Sequence, residues 1–138
     1  MPLSLLAALG LVGIYLMLRG QFRARTAGGG ADPDATTLTE LARAGSDLGR
    51  SHEMEFFLYL PDRGSADAVA VQLEAEGFAV EVKAAEEGAD WLCLATRTMV
   101  PTLDELQRLR RHLAAVAESR EGAYDGWGAT VVGPPDSR

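Results

Sequence analysis

The chain has one cysteine and two histidines in 138 residues. The lone Cys93 excludes an intrachain disulfide. A structural zinc site takes about four ligands, and His52, His112 and Cys93 are a poor supply for one. On a strand His52 and Glu53 would face opposite ways, which removes the nearest candidate pair of metal ligands. A nucleophile motif is also missing, because no histidine is placed beside Cys93 or a serine in a recognisable catalytic pattern. The glycine run "AGGGAD" lacks the Lys-Ser/Thr of a phosphate-cradling loop. The sequence therefore predicts no enzyme, no cofactor and no metal.

Charge is lacking in a patterned way. Residues 1–30 contain no acid and only Arg19, Arg23 and Arg25, for a charge of +3. The rest holds ten of the thirteen basic residues and all twenty acidic ones, for a charge of −10. A body so negative repels phosphate backbones, which argues against direct nucleic-acid binding. It suits a basic protein partner, and it also keeps a domain soluble.

What is present begins with "MPLSLLAALGLVGIYLML", Met1 to Leu18, which has no charged side chain. As a helix it would span about 27 Å, close to the thickness of a bilayer core. It has no basic start and no polar face, so it reads as a membrane anchor rather than a signal peptide or a core helix. The arginines that follow it mark the cytoplasmic side. The expected plan is a transmembrane anchor over 1–20, a flexible linker over 21–36 ("TAGGGADPDAT" at its centre), a domain over 37–132 and a disordered tail over 133–138. The expected location is the inner membrane, single-pass, with the domain in the cytoplasm.

Within the body, Thr37 and Glu40 form a capping-box pattern for a short helix ended by Gly45 or Gly49. "HEMEFFLYLP" is a strand that stops at Pro61. "SADAVAVQLEAEG" is a helix with Ser65 as its cap and Gly77 as its stop. "FAVEVKA" alternates cleanly, and the turn "EEGAD" joins it to the strand "WLCLATRT". Thr102 and Glu105 form a second capping box, and Leu103, Leu106, Leu109, Leu113 and Val116 stripe the helix that follows. In "RLRRH" the basic face pairs with Asp104, four residues before Arg108. "AYDGWGATVV" is the last strand. The order is strand, helix, strand, strand, helix, strand, which is the α+β ferredoxin-like plan. It places two helices on one face of a four-stranded antiparallel sheet, with the short helix and the anchor in front.

In the last strand, Asp125-Gly126 has the chemistry of a bulge. A bulge there would put Tyr124 and Trp127 on one face, either as pins against the helices or as an aromatic patch for a partner. Cys93 alternates with Trp91 and Ala95 and reads as a small buried hydrophobe.

Four stretches, "EFFLYLPD", "LEAEGFAVEV", "WLCLATRTMVPTLDEL" and "GAYDGWGATV", together resemble the bacterial regulator of ribonuclease E activity B family, the ribonuclease E inhibitor proteins, over roughly Thr37 to Val132. The most specific pieces are "ATRTMVPTL" and "YDGWG". The resemblance implies a ferredoxin-like fold and a non-catalytic protein that binds ribonuclease E and modulates RNA turnover. Members of the inhibitor type are soluble and acidic-tailed, whereas this chain opens with an apolar stretch. The positions singled out for partner contact are Tyr124, Asp125, Trp127 and Arg97. A second reading is a ferredoxin-like small-molecule-sensing domain tethered to the membrane, which rests on fold analogy. Protease added to inverted membrane vesicles should digest the body, and protease added to intact spheroplasts should spare it. The reverse pattern would overturn the topology.

Overall fold

A computed structural model describes residues 32–134 of the chain. The anchor, most of the linker and the end of the tail lie outside the described residues. Among the described residues no helix is long and apolar enough to cross a membrane. The elements are α1 (Pro33–Arg43), β1 (His52–Leu60), α2 (Arg63–Ala75), β2 (Ala79–Ala84), β3 (Trp91–Met99), α3 (Leu103–Glu118) and β4 (Ala123–Ala129).

The four strands form one sheet in the order β2-β3-β1-β4, and every neighbouring pair is antiparallel. β1 and β2 therefore run parallel with β3 between them, and α2 makes the crossover. This is the split βαβ arrangement expected from the element order. Strand alternation sorts the side chains by face. Met54, Phe56, Leu58 and Leu60 of β1, Cys93 and Ala95 of β3, and Trp127 and Ala129 of β4 share the helix-side core. Val69 and Leu73 of α2, Leu106, Leu109 and Leu113 of α3, and Leu38 and Leu41 of α1 close over them. Phe56 meets Phe78 edge-on, with ring centroids 5.8 Å apart. All three helices contribute to this one face. The opposite face carries Glu53, Glu55, Phe57 and Tyr59 of β1 and Leu92, Leu94, Thr96 and Thr98 of β3.

Several helix starts differ from the sequence reading. α1 begins at Pro33, not Thr37, so the last four positions assigned to the linker are helical. The Asp32 side chain accepts from the amides of Asp34 (2.8 Å) and Ala35 (3.3 Å), and Pro33 occupies the first helical position, where no N–H is needed. The hydroxyl of Thr37, expected to cap, instead donates back to the Pro33 carbonyl at 2.9 Å. α2 is capped by Asp62, which accepts from the Ser65 amide at 2.7 Å, so Ser65 lies inside the first turn. α3 starts as expected, with Thr102 accepting from the Glu105 amide at 3.3 Å. The Glu105 carboxylate, however, turns forward to Arg108 and takes the place foreseen for Asp104.

Two glycines have no substitute. Gly126 has φ +107° and sits where the β1–β4 register shifts between Phe56 and Leu58, so the bulge anticipated at Asp125-Gly126 is present. Gly122 joins α3 to β4 with its amide on the Ala117 carbonyl at 2.8 Å. A Cβ there would collide with the Tyr59 carbonyl oxygen and lie 2.6 Å from Leu60 Cδ1.

Cys93 is fully buried, and burial first, then the charges of Glu74 and Asp67, push its thiol up to about 11. Its thiolate fraction at mildly alkaline pH is lowered about 100-fold by that shift alone. Iodoacetamide at pH 8.5 should leave Cys93 unlabelled in the folded chain and modify it at the ordinary rate in denaturant. Stability should also fall as pH rises above 9.0 toward about 11, because the unfolded chain ionises first.

Candidate functional site

The strongest concentration of polar chemistry is where α1, α3 and β4 meet. Asp34 stands in the first turn of α1 and is wholly buried. One carboxylate oxygen accepts from Arg110 Nε at 2.9 Å. The other accepts from Arg110 Nη2 at 3.1 Å and from Trp127 Nε1 at 3.1 Å. The pair is the bidentate fork that holds a buried carboxylate best. Burial nevertheless raises the Asp34 carboxyl above its usual range, against the pull of Arg110 and Trp127. Beside it, Asp32 accepts a hydrogen bond from Gln107 of α3 in addition to capping α1. Partial burial acts upward on Asp32, but these donors and the field of Arg110 hold its carboxyl below the ordinary value.

Tyr124 completes the group. The Arg110 guanidinium lies 5.6 Å from its ring centroid. Its hydroxyl is buried and finds no hydrogen-bond partner among the described residues, and burial, then the nearby Asp34 charge, raise its pKa. Tyr124 and Trp127 do share a face, as the bulge requires, opposite Leu58 and Phe56. That face is the core side, so the two aromatics pin β4 to the helices. Trp127 is 1% exposed, and a partner meets it only through the residues covering it. Asp125 lies at the bulge, half-buried, and makes a contact of its own.

Arg97 is elsewhere. It sits on β3 opposite Met54, so all of β1 separates it from β4. Its guanidinium lies 3.9 Å from the Phe78 ring centroid and donates to the Glu76 carbonyl at 3.0 Å, at the C-terminal end of α2. His112 of α3 reaches the Glu76 carboxylate at 2.7 Å and ties α3 to α2. The four positions chosen from sequence thus form two groups, Tyr124, Asp125 and Trp127 at one edge and Arg97 toward the other.

A third polar group was not anticipated. His52 is 1% exposed, and its Nδ1 lies 2.8 Å from the Arg50 carbonyl, which can only accept. Nδ1 therefore carries the proton, and in the neutral ring Nε2 accepts from Ser46 Oγ at 2.5 Å. Ser46 Oγ in turn accepts from the Val132 amide at 2.8 Å. The Asp47 amide donates to the Val132 carbonyl at 2.6 Å and Arg50 Nη1 to the Gly133 carbonyl at 2.8 Å. The serine–histidine pair resembles half a hydrolytic triad, but it is sealed against backbone and fastens the chain beyond β4 to the α1–β1 loop. The chain is thus held as far as Gly133, where the tail was expected to begin; residues 135–138 lie outside the described residues.

Sequence signals for the missed residues are few. Arg110 falls four after Leu106 and three before Leu113, inside the apolar stripe of its helix, and a charge there marks a buried partner. Asp34 had no such mark, because it lies in a stretch whose composition reads as linker.

Among the described residues there is no group of three or more His, Cys, Asp or Glu side chains placed to hold a metal ion. Both ring nitrogens of His52 are already engaged, and Glu53 points to the other face.

Removing one member of a buried ion pair costs about 3–5 kcal/mol, because the survivor is left charged and unpaired. Asp34→Ala should therefore lower stability by about 3 kcal/mol in urea denaturation. The double variant with Arg110→Met should lose clearly less than the sum of the single losses. Strict additivity would show that the pair is not coupled.

No curated protein matches the chain. The sequence model of the family described as regulator of ribonuclease activity B matches residues 31–129, which takes in every element from α1 to β4. With well over half of its length so matched, the chain belongs to the regulator of ribonuclease activity B family.

Proposed function

We propose that this chain is a non-catalytic regulator that binds ribonuclease E, or a related RNA-decay factor, and modulates its activity from the inner face of the cytoplasmic membrane. Family membership supports regulation of ribonuclease activity. The observation that carries the choice of partner chemistry is the charge of −10 on residues 31–138. A body of that sign is drawn to basic polypeptide and repelled by RNA itself, so it acts on the nuclease rather than on the substrate. Binding to a basic segment of the nuclease would compete electrostatically with the RNA that segment holds.

The contacts proposed are Asp125, Tyr124 and Arg97, with Trp127 behind them as support. Asp125 is the most direct of these, because the Gly126 bulge turns the strand at that point. The membrane reading rests on Met1–Leu18 and the arginines after it.

Full-length chain immobilised in mild detergent should retain purified ribonuclease E at low ionic strength and release it near 0.5 M salt, where screening falls to about 4 Å. Asp125→Arg should reduce retention about five-fold, measured on chain shown by circular dichroism to be folded. Failure to retain the nuclease at low salt would remove it as the partner.

A further inference from the structure

Strand β2 is an outer strand of the sheet, and among the described residues it pairs with β3 alone. Ala79, Glu81, Lys83 and Ala84 are exposed along it. On an edge strand every second residue turns its N–H and C=O groups outward, beyond the reach of the sheet. Proteins blunt such edges with charge, above all with lysine. β2 instead carries one charge of each sign. Glu81 and Lys83 stand on the face away from the helices, paired with Leu94 and Leu92 of β3. They lie 4.0 Å apart, with side chains 65% and 52% exposed. Val80 and Val82 alternate with them and pack toward the core.

This pattern is self-complementary in one register. Outward groups recur at every second residue, so a second β2 running antiparallel must place one residue opposite its own copy, on a two-fold axis. With Glu81 on the axis, glutamate meets glutamate, and with Lys83 on it, lysine meets lysine. Like charges directly opposite destabilise a strand pair. With Val80 on the axis, Glu81 meets Ala79 and Lys83 passes the end of the other strand. With Val82 on the axis, Glu81 of each copy meets Lys83 of the other, and four charges alternate in sign around the two-fold. The same register sets Val82 against Val82 and Val80 against Ala84 on the helix side. The helices leave room for it. α2 covers β2 and β3, and strands lie about 4.8 Å apart, so the two α2 helices would stand about 10 Å apart, the ordinary distance for packed helices. Their facing flanks, turned away from the Glu76–His112 contact with α3, carry Asp67 and Glu74. Those acids add repulsion, so the strand edges hold the pair and the association depends on concentration.

We propose that the outer edge of β2 is an interface for a second copy of this chain, joined antiparallel about a two-fold axis at Val82. The two sheets run on as one, and the β4 edges, each with its Asp125, stand at the far ends. The contact proposed for the nuclease is thereby presented twice, and the pairing itself does not depend on that contact.

The test is sedimentation equilibrium of the full chain in mild detergent at about 0.15 M salt, where charges more than about 8 Å apart are largely screened and cross-strand pairs at about 5 Å are not. The unaltered chain should reach a dimer as its concentration rises. Glu81→Lys leaves two lysines on this edge and Lys83→Glu leaves two glutamates, so each variant should self-associate about ten-fold more weakly. An equimolar mixture of the two variants should regain dimer to within about three-fold of the unaltered chain, because lysine then faces glutamate at every charged pair. Both variants break the contact between Glu81 and Lys83 within one chain, so only pairing between chains explains the recovery. Each is measured on chain shown by circular dichroism to be folded. An unaltered chain that stays monomeric would overturn the proposal. So would a dimer that both single variants leave intact, since its interface then lies elsewhere, the apolar Met1–Leu18 included. A mixture that fails to recover would overturn it as well.

Discussion

A single buried carboxylate sets the architecture at the β4 edge. Asp34 gathers two N–H groups of Arg110 and the indole N–H of Trp127, and so joins α1, α3 and β4 at one point. A charge placed away from water has to be satisfied completely, and the cost of an imperfect fit enforces one mutual arrangement of the three elements. α1 depends on it most. At eleven residues it is too short to persist alone, and Leu38 and Leu41 give it only a narrow apolar side. The same contact fixes the rotamer of Trp127, the largest fully buried side chain, and through it the depth at which the edge strand sits.

The groups that carry chemistry in other proteins are here committed to holding the fold. His52 has both ring nitrogens engaged beneath the surface, and His112 bridges two helices through Glu76. Cys93 is enclosed among apolar neighbours on the central part of the sheet. Arg97 lies over an aromatic ring and closes the end of α2. What remains toward solvent is largely charge, and in the body that charge is mostly negative. A regulator that works by docking needs a surface of defined sign and a rigid support, and these are the two properties the fold supplies.

Much of the fold was legible because it is written in short-range periodicity. "FAVEVKA" and "WLCLATRT" alternate as paired strands must, the leucine stripe of α3 repeats at helical spacing, and Asp125-Gly126 announces a bulge. The start of α1 was hidden, because Asp32 and Pro33 belong as naturally to a loop as to a capped helix. The candidate site was less legible for a different reason. Asp34 and Arg110 are far apart in the chain, as are Ser46 and Val132, and no local pattern encodes such pairs. The bulge at Asp125-Gly126 placed Tyr124 and Trp127 on one face but could not say which, and the choice was decided by a carboxylate in a segment that reads as tether.

The fastening at the two ends of the body has a mechanical consequence. The chain enters through Asp32 beside Gln107, and it leaves through Val132 and Gly133, held by Ser46, Asp47 and Arg50. Tension applied from the amino-terminal side therefore loads the first turn of α1 before it reaches any strand. That turn can peel from α3 while the β1–β3 ladder stays intact, so a tug from the front would act as a strain gauge on one corner instead of unravelling the sheet.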